Sequence, residues 1–259
     1  MGRGVDAQSL AKLVGQEAQR VVAAPAGPER RKGGAADADE VIADCKQSIE
    51  DTDRMLGEGK IDSKQAASYL AEHSLQMAST LFVAGAEPQA WRRWMGLSSL
   101  GHLLLEKRGL AAQLAILAGE WELVARIDRT PPLNRRDVGS VVLWSLIGGA
   151  TSGELHYEDD PFDTAWRALA ASIPARDHAA TEAALKTIAD FWIADSDGDW
   201  ESYHPGDYPD FEQVSNAVAA WARHQGYTPR ALSTGQYRFL EAGLQPGDAT
   251  PLVPATVSW

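Results

Sequence analysis

The sequence is poor in the groups that most often build a recognisable reaction centre. Its 259 residues include a single cysteine, Cys45, so neither an internal disulfide nor a cysteine-based metal site can form. A single cysteine fits a reducing cytoplasm, which is the location we predict. The sequence contains no HExxH, P-loop or GxSxG motif, and no GxGxxG before a helix. The enzyme classes that these motifs define are therefore excluded.

Long apolar runs are also missing from the chain. No stretch approaches the roughly 20 apolar residues that a membrane-spanning helix needs. The first residues, MGRGVDAQSL, contain no apolar core of a signal peptide. We therefore expect neither a membrane anchor nor a secretory leader.

Positive charge is scarce in the last two fifths of the chain. Residues 1–152 carry 18 Lys and Arg against 19 Asp and Glu, whereas residues 153–259 carry 6 against 17. Almost all of the net charge of −12 therefore lies in the second part. Phosphate groups would be repelled there, which disfavours nucleic acid and anionic membrane and favours a basic protein as partner. The alternative is that the acidity only keeps the protein soluble.

Apolar residues recur at helical spacing through most of the chain, and no convincing strand alternation interrupts them. We predict an all-α fold, an irregular array of about nine or ten helices with mostly antiparallel neighbours, because the connections are short. No sustained repeat is present, which argues against a solenoid. A single helical domain is predicted over residues 37–244. A helix and a mobile polar loop are predicted over residues 1–36, and an extended, proline-rich tail packed on the body over residues 245–259.

Local signals predict where individual helices begin and end. Asp62 with Gln65 has the spacing of a capping box, and Asp160 followed by Pro161 is typical of an N-cap and first helical residue. Asp177 is predicted to begin the following helix. A further helix is predicted to start at Pro88 and end at Gly109. The next segment is predicted to form one helix, or two with a break at Gly119.

The helix that follows Asp160 is predicted to bury one apolar face. Its members are spaced three or four residues apart, as on one side of a helix. They are Phe162, Trp166, Leu169 and Ile173.

Residues 195–212, DSDGDWESYHPGDYPDFE, form a segment that is rich in acidic and aromatic side chains and contains no Lys or Arg. Acidic and aromatic side chains on a loop between helices are typical of a binding surface for a basic partner. We predict that its contact residues are Asp195, Asp197, Asp199, Trp200, Glu201, Tyr203, His204, Asp207, Tyr208 and Asp210. A second acidic segment, HYEDD, adds Glu158 and Asp159.

The acidic segments do not predict a metal site. The run DSDGD resembles the start of an EF-hand loop, but Trp200 stands where the loop needs glycine and Gly206 where it needs glutamate. The histidine and carboxylates of HYEDD have no spacing that defines a coordination geometry. We therefore predict neither a metal nor a cofactor, and no catalytic residue.

Two segments resemble a known family. LAGEWELVARI, residues 117–127, is similar to a helical turn of the immunity protein 49 family. NAVAAWARHQGYTPRALSTGQYRFLEAGL, residues 216–244, is similar to the late helix, glycine turn and tyrosine-containing helix of such proteins. The resemblance to these bacterial polymorphic-toxin immunity proteins implies a non-enzymatic role, in which the chain binds a cognate toxin and blocks its active site. It assigns no residue, because these families share no catalytic motif.

Three functions remain open from the sequence. The first is an immunity or inhibitor protein for a basic partner, a secreted toxin above all, acting as a monomer or a homodimer. The second is an enzyme with a dispersed, metal-assisted carboxylate site built from the acids of residues 154–163 and 195–210, since catalytic groups can converge from distant positions. The third is a helical adaptor or scaffold.

Overall fold

The computed structural model describes residues 5–21, 38–133, 137–150, 160–195, 214–230, 232 and 238–245. These residues form eleven α-helices and no strand, which confirms the all-α fold. The helices are α1 (Ala7–Arg20), α2 (Ala38–Gly57), α3 (Ser63–Val83), α4 (Pro88–Leu104), α5 (Arg108–Ala118), α6 (Trp121–Arg126), α7 (Val138–Leu146), α8 (Pro161–Ala175), α9 (His178–Asp195), α10 (Val214–His224) and α11 (Arg238–Leu244).

Aspartate side chains start several of these helices. In α3 the Gln65 amide donates to Asp62 Oδ1 over 2.8 Å, and the Asp62 amide donates to Gln65 Oε1 over 3.0 Å. The Asp160 carboxylate accepts from the Asp163 amide at 2.8 Å, and the Asp177 carboxylate from the Ala180 amide at 3.0 Å. The starts of α3, α8 and α9 predicted from the sequence are thus confirmed, because each carboxylate satisfies an amide that the first turn leaves unpaired.

The helix that begins at Pro88 ends earlier than predicted. It stops at Leu104, and Gly109 lies inside α5, so the predicted end at Gly109 is wrong. Glu106 adopts a left-handed conformation with φ of 59°, and the Lys107 amide donates to the His102 carbonyl over 2.9 Å. The left-handed residue and this hydrogen bond terminate α4, although glycine, the usual residue at such a position, is absent. The break at Gly119, with φ of 75°, is confirmed.

The described helices fall into two compact units, α1–α6 and α7–α11. In the first unit α3 packs against α2 and α4, α4 packs against α5, and α1 contacts α2, α3 and α4. The Trp91 ring is fully buried and meets the Phe82 ring nearly at right angles, with 5.3 Å between centroids. Glu17 of α1 forms an ion pair with Arg93 of α4. The single domain over residues 37–244 stays a prediction.

Small residues allow α3 and α4 to approach closely. A Cβ atom on Gly101 would lie 2.7 Å from Ala71 Cβ and 3.1 Å from the Ala67 carbonyl oxygen. The first distance is shorter than side-chain packing tolerates, so α4 can keep this position against α3 only with glycine there. In contrast, a Cβ atom on Gly15 of α1 would meet no atom within 4 Å.

Gly101→Ala is therefore expected to lower the free energy of unfolding by about 1–3 kcal/mol through overpacking. Gly15→Ala is the matched control, and it is expected to raise stability by up to about 1 kcal/mol, because alanine is the better helix former. Urea unfolding followed by circular dichroism measures both changes. Equal effects of the two substitutions would contradict the close approach of α3 and α4.

Candidate functional site

Most of the predicted contact residues cannot be located in this structure. Asp195 is the last residue of α9, and its side chain is outside the described part. The others lie outside the described residues altogether: Glu158, Asp159, Asp197, Asp199, Trp200, Glu201, Tyr203, His204, Asp207, Tyr208 and Asp210. The described residues that precede and follow them locate the two ends of each acidic segment.

Helices α8 and α9 form a hairpin in the second unit. At its turn, the Thr181 hydroxyl donates to Ser172 Oγ over 2.9 Å, and both side chains are buried. Arg176 makes the reversal in a left-handed conformation with φ of 57°. Asp177 then caps α9.

Aromatic contacts join the other end of this hairpin. The rings of Phe162, in the first turn of α8, and Phe191, in the last turns of α9, lie 4.2 Å apart at an interplanar angle of 31°. Phe162 also meets Trp166 edge to face at 6.0 Å. Because the start of α8 contacts the end of α9, and the end of α8 contacts the start of α9, the two helices are antiparallel.

The antiparallel pairing brings the ends of the two acidic segments to the same end of the hairpin. Asp160 is the last residue of HYEDD and stands two residues before Phe162, whereas Asp195 is the first residue of the 195–212 segment and follows Phe191 by four residues. Each is therefore within about one helical turn of the aromatic contact. Val214 resumes the described chain after the second segment. A Cβ atom on Gly139 of α7 would lie 2.4 Å from Val214 Cγ1 and 2.8 Å from Trp166 Cζ2, so Val214 lies near Trp166.

The burial of these aromatic side chains differs from the sequence prediction. Trp166, Leu169 and Ile173 are buried as expected, whereas Phe162 is only half-buried. It stands in the first turn of α8. Phe191 was not predicted to be functional, and 43% of its surface is exposed. The sequence could have identified Phe191 as a large apolar residue that lies outside the buried face of α9, which Leu185 and Ile188 define.

A small pocket lies between the α8–α9 turn and the C-terminal end of α10. Its volume of about 10 Å³ gives room for about one water molecule, far less than an organic substrate requires. The lining residues are Ile173, Arg176, His178, Thr181, Ala222, Gln225 and Tyr227.

Two buried side chains, Tyr227 and Cys45, stay protonated near neutral pH. Burial raises the pKa of the Tyr227 phenol well above its ordinary value, and the neighbouring Glu182 carboxylate raises it further. The Glu182 carboxylate itself accepts hydrogen bonds from the amides of Arg230 and Leu232, at 2.8 and 3.1 Å. Burial, and then the charge of Asp44, raise the pKa of the Cys45 thiol to about 12. Neither group is therefore ionised as a nucleophile would have to be.

Neither a membrane span nor a metal cluster occurs in the described ranges. None of the helices there combines the length and apolarity that crossing a bilayer requires. Among the same residues, no three His, Cys, Asp or Glu side chains are grouped in a way that could hold a metal ion.

Comparisons with protein family models, curated proteins and solved structures find no match. The fold and charge on their own define the class as an acidic, all-α protein. Its distinguishing surface is the end of the α8–α9 hairpin, where an exposed aromatic ring adjoins the ends of two acidic segments.

The burial of Cys45 predicts slow thiol chemistry. Because the side chain is 1% exposed and its thiol stays protonated, Ellman's reagent at pH 8 is expected to label native protein at least about tenfold more slowly than protein in denaturant. Absorbance at a fixed reagent concentration measures both rates. Equally fast labelling of native protein would contradict the burial of Cys45.

Proposed function

We propose that this chain is an immunity protein, a cytoplasmic inhibitor that binds a basic protein, specifically a secreted bacterial toxin, and blocks its action. The observation that supports the proposal is that Asp160 and Asp195, at the ends of the two acidic segments, lie at the same end of the α8–α9 hairpin. Asp160 stands two residues before Phe162 and Asp195 four residues after Phe191, and the rings of these two phenylalanines are in contact. The resemblance of residues 117–127 and 216–244 to immunity proteins supports it.

The charge distribution favours a basic protein partner. Residues 153–259 hold 17 Asp and Glu against 6 Lys and Arg, so the second part of the chain attracts cations over a distance of about one Debye length, roughly 8 Å at physiological salt. The same charge repels phosphate groups, which disfavours nucleic acid. Charge complementarity chiefly accelerates association and suppresses wrong partners.

The direct test uses the product of the neighbouring gene as the partner. The two proteins are co-expressed, their complex is isolated, and growth is measured with and without this chain. The proposal expects a stable complex and restored growth when the neighbour is toxic. If the product of the neighbouring gene is basic and toxic and the chain neither binds it nor protects against it, the proposal is wrong.

Reversing two charges of the longer acidic segment is expected to slow association. Asp197→Lys combined with Asp199→Lys should lower the on-rate of that complex and flatten its dependence on salt, because both aspartates are proposed to attract the partner. Stopped-flow measurements at several salt concentrations give both quantities. Glu50→Lys combined with Asp53→Lys on α2 is the matched control, since it changes the net charge equally at two exposed positions.

The control variant is expected to associate faster than the segment variant and to retain more of the salt dependence. If both variants behave alike, only the net charge matters, and the assignment of the acidic segment as the contact surface is wrong.

Trp200→Ala tests whether the same segment supplies an apolar contact. If Trp200 is buried by the partner, its removal should raise the off-rate and cost about 2 kcal/mol or more of binding free energy. Surface plasmon resonance measures the off-rate, and thermal unfolding of the free protein is the control. A lower melting temperature with unchanged binding would show instead that Trp200 anchors the segment to its own protein.

A further inference from the structure

Phe191 is unusual among the described side chains because it is both large and exposed. The described part contains two exposed large hydrophobic side chains, Tyr69 at 40% and Phe191 at 43%. The Tyr69 hydroxyl can be hydrated, whereas the Phe191 ring offers water no hydrogen-bonding group. A single exposed apolar residue is common on protein surfaces, so the inference depends on the surroundings of Phe191.

The ring of Phe191 belongs to a fixed aromatic platform. It lies 4.2 Å from the ring of Phe162, which in turn meets the buried Trp166 ring at 6.0 Å. All three side chains are carried by helices, so their orientation is largely set before a partner arrives. Preorganised aromatic groups lose little conformational entropy on binding, and for that reason they often dominate the binding energy of interfaces.

Charged side chains surround this platform on the same two helices. The parts of these helices next to the two rings, residues 160–167 and 186–195, include four Asp, one Lys and one Arg. Asp190, next to Phe191, forms an exposed ion pair of 2.5 Å with Lys186, and Asp160 and Asp163 begin α8 beside Phe162. An apolar centre within a polar, mostly negative margin has the composition of a protein-binding surface.

We propose that the Phe162–Phe191 pair is the apolar anchor for the basic partner, and that it receives an aliphatic or aromatic side chain flanked by Lys or Arg. This inference rests on the proposed function and adds the chemistry of the contact. A second copy of this chain is a poor occupant, because it would bring two surfaces of the same negative charge together. An anionic membrane surface is repelled for the same reason.

Short peptides of defined charge test the anchor without the natural partner. The probes are Lys-Lys-Trp-Lys-Lys, a pentalysine without an apolar residue, and Glu-Glu-Trp-Glu-Glu, each titrated into isotopically labelled full-length protein and followed by NMR. The first peptide is expected to shift the amide signals of residues 160, 162–166 and 188–195 in a saturable way. Pentalysine should bind about tenfold more weakly, and the acidic peptide should leave these signals unchanged.

Substitution of Phe191 is the decisive comparison. Phe191→Ala should weaken binding of Lys-Lys-Trp-Lys-Lys about tenfold, to the level of pentalysine, while Phe191→Leu should keep most of the affinity. Tyr69→Ala is the matched control, because it removes an equally exposed aromatic ring from another helix and should leave binding unchanged. Circular dichroism establishes that each variant is folded.

These experiments test the proposed anchor independently of the proposed function. The anchor is wrong if Lys-Lys-Trp-Lys-Lys produces no saturable shift, or if Phe191→Ala binds it as tightly as the unaltered protein. It is also wrong if Tyr69→Ala weakens binding as much. The proposed function is contradicted by a different result, namely that the chain fails to bind or neutralise the toxic product of the neighbouring gene.

Discussion

The register between α8 and α9 determines which residues lie beside each other at the two ends of the hairpin, including Asp160 and Asp195 at the ends of the acidic segments. It is set at one end by the Ser172–Thr181 hydrogen bond and at the other by the Phe162–Phe191 contact. Sliding one helix by a turn, about 5.4 Å, would break both contacts together. It would also separate Asp160 from Asp195. The proposed binding surface therefore depends on ordinary helix pairing, and its acidic residues need no fixed geometry of their own to attract a cation.

The first unit contributes packing rather than charge. Its core contains fully buried tryptophans, and α4 approaches α3 so closely at Gly101 that a methyl group would collide with Ala71. Residues 1–126, which contain α1–α6, carry 15 Lys and Arg against 17 Asp and Glu, so they generate little long-range field. A basic partner would thus be attracted mainly by the part of the sequence that includes α8 and α9.

Sequence patterns predicted the elements whose determinants are local. The capping box of Asp62 and Gln65 and the break at Gly119 depend on a few neighbouring residues, and both occur as predicted. The end of α4 could not be predicted, because Glu106 adopts a left-handed conformation that its residue type disfavours. The burial of Phe162 depends equally on its neighbours in three dimensions. The contacts predicted for residues 195–212 stay predictions, since acidic composition indicates a kind of partner but no geometry.

Charge alone would make a poor inhibitor. Exposed ion pairs contribute about 0–1 kcal/mol each and weaken with salt, so an acidic surface speeds association more than it slows dissociation. It also attracts every basic protein to a similar extent. A lasting and selective complex requires desolvated apolar contact with a shape that only some partners match. The described residue best placed to supply that contact is Phe191, because its exposed ring is held by Phe162 beside the ends of both acidic segments.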